Sequence, residues 1–228
     1  MCTEKSFLSI LQSLDAFFPV GAFTLSNGLE DYVMRDRIGS EKELEEYLEG
    51  FLVTFPYQDL GMLSLAYRNH SDHEFLCELD GLADAIKNAS EVRIGNSRMC
   101  SRYLKAREAM HDCVGGVRWY QTQIKNRTLT GFHPIALGIY AAEHAMNQEM
   151  LLQMYGYSVI SAIVNNAVKL VPLSQMQGQR ILFEQLDGLN QMAERAMQVK
   201  FEDLGVAGAM NEVHCMNHEK LYSRQYMS

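Results

Sequence analysis

The chain has 228 residues, a hydrophobic share of 47% and a charged share of 21%, values of a folded globular protein rather than a disordered one. Its 28 acidic against 20 basic side chains give a formal net charge of -8, which argues against a general nucleic-acid binder, because such a protein needs net positive surface to displace counterions. Four prolines and 14 methionines lean the composition toward helix, and five cysteines, odd in number and without a C-x-x-C pair, read as reduced thiols of a cytoplasmic protein.

Apolar periodicity predicts helices along almost the whole chain. The first covers about 5–15 and the second 27–36. Ser40 and Glu43 form a capping-box pair, and behind them Leu44, Tyr47, Leu48, Phe51, Leu52 and Phe55 mark one helix face that ends at Pro56. Further helices are predicted over 58–68, 73–87, 90–111, 117–126, 134–147, 149–169, 174–186, 188–199 and 203–219. Gly115-Gly116 reads as a helix terminator, because glycine tolerates positive φ past a helix end. His133-Pro134 reads as a helix start, with His133 a capping or packing residue. Leu151 to Leu170 is apolar on nearly all sides and is expected at the centre of a bundle. No strand-like alternation and no Gly/Ser/Pro-rich linker appears. The prediction is therefore an all-α, single-domain helical bundle of about ten helices over residues 1–228, with a nearly all-apolar central helix. No signal peptide is evident at the N-terminus, and the most apolar stretch, Val159 to Val171, is too short and too polar to span a bilayer, so no membrane association is expected.

Charge is unevenly spread. Residues 1–60 carry 11 acidic and 4 basic side chains, whereas 87–127 carry 9 basic and 3 acidic. Arg98, Arg102 and Lys105 fall on one helix face, as an ordinary solvated surface or as a docking patch for an acidic partner. The signatures G-x-x-x-x-G-K-[ST], G-x-S-x-G, H-E-x-x-H and G-x-G-x-x-G are all absent, which disfavours an enzyme and argues against nucleotide hydrolysis by this chain alone. His214 and His218 stand at i and i+4 with Cys215 between them, a spacing that would let them share one metal ion, although a structural zinc site takes four ligands. His70 and His73 lie in a polar loop and read as solvated. Residues 219–228 include Leu221, Tyr222, Tyr226 and Met227, too apolar for a plain tail, and are predicted to dock on this chain or on a partner.

Three stretches carry a resemblance: DAFFPVGAFTLSNGLE from Asp15 to Glu30, KLVPLSQ from Lys169 to Gln175 followed by Gly178-Gln179, and HEKLYSRQYMS from His218 to Ser228. Together they resemble the UreF family of urease accessory proteins, and Arg102 and the segment from His133-Pro134 to Gly138 sit where that family has similar residues. The resemblance implies an all-helical, cytoplasmic homodimer that is not an enzyme. It implies a scaffold or chaperone that joins UreD (also called UreH) and the GTPase UreG to promote nickel insertion into apo-urease, with nickel handled by the assembled complex and no cofactor held tightly. It implies that Lys169, with Pro172, Ser174 and Gln175, contacts the GTPase, and that His218, Tyr222, Ser223 and Arg224 belong to a partner-binding tail. Pro19, Gly21, Ser26, Gly28 and Glu30 are expected to shape the turn before the second helix. Two alternatives are a GTPase-activating regulator using Arg98, Arg102 or Arg224, and a metallochaperone that holds nickel through His214, Cys215 and His218. Leu25 and Cys100 depart from the pattern, standing where the family often has His and Gly.

Overall fold

Helix ends follow the capping chemistry written in the chain. The computed structural model describes residues 4–22, 25–222 and 224–226. Among them run α1 (Glu4–Leu14), α2 (Leu29–Met34), α3 (Glu41–Thr54), α4 (Asp59–Arg68), α5 (His73–Ile86), α6 (Ser90–Ala109), α7 (Gly115–Lys125), α8 (His133–Glu143), α9 (Gln148–Leu170), α10 (Gln175–Glu184), α11 (Leu186–Gln198) and α12 (Ala209–His218). Short 3-10 turns at Phe55–Tyr57 and Phe201–Asp203 complete the set, and no β-strand occurs among the described residues. The protein is all-α, as the periodicity predicts. Side chains of Ser40, Asp72, Asn147 and Ser174 accept from backbone N–H groups three residues on, each satisfying one of the donors a helix start leaves unpaired.

The core forms around α4 and α8, the most intimately packed pair of helices. Every residue of α8 from His133 to Ala141 is buried, and so is α4 from Leu60 to Ala66. Contact is backbone to backbone at one point: a Cβ added to Gly138 would lie 2.6 Å from the Leu63 carbonyl oxygen. α8 is therefore enclosed on all sides, whereas α9, expected at the centre, packs against α11, α10 and α4 and leaves one side open. In α9, Leu151, Leu152, Tyr155, Ile160, Ile163 and Val164 are buried, but Met150, Tyr157 and Asn165 are exposed. The reason is side-chain size. Ser158, Ser161 and Ala162 offer little apolar area on the open side of α9, whereas the glycine and alanines of α8 admit close neighbours on all sides.

Gly115-Gly116 is a correction. These residues open α7 rather than close α6, which ends at Ala109. The chain reverses at His111 and Gly115, both at positive φ. Gly116 N donates to Glu143 Oε1 at 2.5 Å, so the pair is required by the approach of α7 to α8. The last helix starts at Ala209 rather than at 203, after Gly208 at φ 92.

One buried cation fixes the first helix. Arg107 on α6 is wholly buried, and its guanidinium donates to Ser9 Oγ at 2.7 Å, to the Ser9 carbonyl at 3.0 Å and to Ser13 Oγ, while pairing with Asp112 at 3.2 Å. The Tyr140 ring lies 4.0 Å from its central carbon. Among the described residues no helix is long and apolar enough to cross a membrane.

Candidate functional site

The first and third resemblance stretches meet in space. Glu30 and Asp31 occupy the first turn of α2, where the helix N-terminus favours negative charge, and both are buried. Glu30 Oε2 lies 2.9 Å from His218 Nε2 near the end of α12, and the other ring nitrogen, Nδ1, lies 2.8 Å from Glu91 Oε2 on α6. Both nitrogens of a buried imidazole thus face carboxylates. Glu30 also accepts from the backbone N–H of Gln225 at 2.8 Å and of Tyr226 at 3.1 Å, and Arg224 pairs with Glu91. The tail therefore docks on this chain, held by the same two carboxylates that hold His218.

A second layer repeats the theme. Asp31 Oδ2 lies 2.8 Å from Arg35 Nε and 2.7 Å from His214 Nδ1, and the His214 ring stacks on Tyr32 at 3.5 Å. Glu212 and Glu219 cap the start of α6: Glu212 accepts from the N–H of Asn88 and Ala89, Glu219 from the N–H and hydroxyl of Ser90. These bonds hold the Glu219 carboxyl below its ordinary range, with the Ser90 hydroxyl the largest cause. The Gly28 backbone, at φ 81, admits α12 closely, since a Cβ there would stand 3.2 Å from Cys215 Sγ.

This geometry places the proposed metal ligands in separate tasks. His214 faces Asp31, His218 faces Glu30 and Glu91, and Cys215 is buried with Ala89 and Val92. Among the described residues, no three His, Cys, Asp or Glu side chains are placed to hold a metal ion together. Tyr222 is fully exposed, and Ser223 lies outside the described residues.

The second resemblance stretch forms a separate corner. Lys169 is exposed in the last turn of α9, and Pro172, Ser174 and Gln175 are exposed on the way into α10. Ser174 is the N-cap of α10 in a full capping box with Gln177: Gln177 N donates to Ser174 Oγ at 3.2 Å, and Ser174 N donates to Gln177 Oε1 at 2.9 Å. Gln177 and Arg180 then bind Glu41 of α3, and the Arg180 guanidinium, with Gln177, lowers the Glu41 carboxyl from its ordinary value. Beside this corner, Met176 and Phe183 stand 78% and 74% exposed, seven residues apart and so on one side of α10. Sequence reasoning missed both. Their signal was available: they lie off the stripe of Gly178, Ile181 and Leu182 that faces inward.

The two regions are joined through the first stretch, where Asn166 Nδ2 on α9 donates to the Leu25 carbonyl at 3.0 Å. Leu25 is buried against Gly95, an apolar role at a position where histidine was the expected pattern. Pro19 is exposed, Ser26 is buried, and Gly21 takes φ 83 beside Arg102, whose Nη1 donates to the Val20 carbonyl at 3.2 Å. Of the three arginines weighed for action on a GTPase, Arg102 and Arg224 thus make bonds within the chain, and Arg98 is exposed on α6.

Comparison with known proteins agrees with the resemblance. The family model UreF matches residues 38–186. Urease accessory protein UreF of Haemophilus influenzae (strain PittGG) is 36% identical over 225 residues, covering 96% of this chain and 94% of that protein. Urease accessory protein UreF of Actinobacillus pleuropneumoniae serotype 5b (strain L20) is 34% identical, covering 96% and 98%, and that of Streptococcus salivarius (strain 57.I) is 28% identical, covering 98% and 95%. With a family model over most of its length and relatives of this identity over nearly all of it, the chain belongs to the UreF family of urease accessory proteins.

Proposed function

We propose that this chain is a non-enzymatic scaffold of urease maturation, a cytoplasmic homodimer that joins UreD (UreH) and the GTPase UreG and so promotes nickel insertion into apo-urease. In this reading nickel is handled by the assembled complex and this chain holds no tight metal. The observation that carries the reading is the exposed corner at the α9–α10 junction. Lys169 offers a cation, Gln175 a polar group, and Pro172, Met176 and Phe183 uncovered apolar area. Exposed apolar side chains grouped beside a charge are the composition of a protein-docking surface. Methionine suits such a surface because its flexible thioether adapts to its partner.

Co-expression with UreD and UreG, followed by size exclusion with mass measurement, tests the proposal. The wild-type chain is expected to form a complex containing all three proteins with two copies of this one. Lys169→Glu and Phe183→Asp should each lower GTPase recovery about tenfold or more, as loss of an interface anchor does, while leaving the helical circular dichroism unchanged. Full recovery with both variants would remove this corner from the interface.

A further inference from the structure

A cavity of about 630 Å³ opens between α1, the segment leading to α2, and α9. Its size falls within the range of small-molecule sites, which are mostly apolar with a few placed polar groups. Leu14, Met99, Val159 and Leu189 supply apolar wall, and Phe18 and Tyr155 add aromatic surface. His133, at the start of α8, also lines it. The ring is 3% exposed, and neither Nδ1 nor Nε2 meets a hydrogen-bond partner among the described residues. It does not cap its helix. It lies against Tyr103 at 5.2 Å and Tyr155 at 6.1 Å between ring centres. Buried polar groups in folded proteins almost always have a partner, so an imidazole with two open positions beside a cavity points to a ligand that supplies one. Burial also lowers its pKa to about 4, so at neutral pH the ring offers one donor and one acceptor and no charge. Two charged groups line the cavity, both acidic: Asp59 is paired with Lys87 at 2.7 Å, and Asp15 accepts from the Phe17 N–H at 2.8 Å. An anionic ligand would find no counter-ion here and would lose its hydration.

We propose that this cavity binds a small, uncharged aromatic molecule carrying one hydrogen-bonding group, of the phenol or indole type, which pairs with the His133 imidazole. The aromatic walls favour a flat ring, the neutral imidazole favours a hydroxyl or N–H, and a volume of about 630 Å³ suits a small molecule. Nothing in the scaffold role requires such a site.

NMR titration of the full chain with phenol, toluene and benzoate, observing both the ligand signals and the histidine ring signals, provides the test. Phenol is expected to bind about tenfold more tightly than toluene, the effect of one added buried hydrogen bond, to shift the His133 ring resonances, and to exceed benzoate by more. His133→Phe should abolish the preference for phenol over toluene. Val159→Trp, which fills the cavity from its rim and leaves His133 in place, should weaken all probes and serves if His133→Phe does not fold. No binding of phenol to the wild-type chain at millimolar concentration, or equal binding of phenol and toluene, would overturn the proposal.

Discussion

Glu219 reaches from the end of α12 to the first turn of α6, where Ser90 and Glu91 present N–H groups at 2.8 and 3.3 Å. Its carboxyl titrates below the ordinary value of 4.5 because Ser90, and then these amides, bond the charged form. The folded state thus prefers the carboxylate more than the unfolded state does. The cap is at full strength above about pH 4.5 and is lost as pH falls through the lowered folded value. Amide exchange of Ser90 and Glu91, compared between pH 6 and pH 3.5, should show a loss of protection on acidification. Glu219→Gln keeps an acceptor without the titration and should flatten that dependence. At this scale the chain was only partly legible. Glu30, His218 and Arg224 were named from the stretches that contain them, yet their pairing was not. Glu30 and His218 are 188 residues apart, and no spacing rule connects positions that only the tertiary fold brings together. His214, Cys215 and His218 were grouped by helical spacing, which is correct for the backbone, but the rings are engaged by different carboxylates.

Helices were far more legible than their places in the bundle. Start signals such as Ser40 with Glu43 act locally, and the boundaries fell within a few residues of expectation for most elements. Which helix sits at the centre is a different matter, since α8 and α9 are both apolar and periodicity reports only the width of a buried face. They differ in what their glycines meet: Gly156 of α9 faces the side chains of Met192 and Leu189, whereas Gly138 of α8 faces backbone. The Gly138 position sits against the Leu63 carbonyl, the Ala66 side chain and the Tyr67 backbone nitrogen. Gly138→Ala raises intrinsic helix propensity by about 1 kcal/mol, so on local grounds it should stabilise α8. Packing opposes it, because the added methyl would meet backbone at 2.6 Å and force α4 and α8 apart. We expect a net loss of about 2 kcal/mol, an overpacking cost, read as a lower urea midpoint with an unchanged slope.

On the scale of the molecule, the C-terminal segment closes the fold over its own beginning. α12 and residues 224–226 rest on α2 and on the start of α6, so the end of the described chain is tied to carboxylates at Glu30 and Glu91. Removing residues 219–228 strips two backbone donors from Glu30, the Arg224 partner from Glu91 and the Glu219 cap from α6. The expected cost is about 3 kcal/mol, from hydrogen bonds to charged groups, and for a chain of this size that corresponds to a fall of roughly 6–12 °C in melting temperature. A melting temperature within about 2 °C of wild type would show that the tail contributes little to the fold. The family was legible from the three stretches, and the single all-helical architecture from composition and periodicity. The exposed pair Met176 and Phe183 belongs to no motif, and its outward placement follows only from the stripe of α10 that faces inward.

The grip of Arg107 on α1 has a consequence for the shape of the molecule's open side. Greasy contacts tolerate sliding, and a helix held by them alone can settle at neighbouring axial positions. Here a shift by one turn, about 5.4 Å, would carry Ser9 and Ser13 away from the guanidinium and leave its buried Nη2 without the partners it has on α1. Directional bonds to one rigid fork therefore give α1 a single register against α6 and α8. The wall that α1 contributes to the cavity, through Leu11 and Leu14, is thereby set in place by hydrogen bonds to α6 rather than by apolar contact alone.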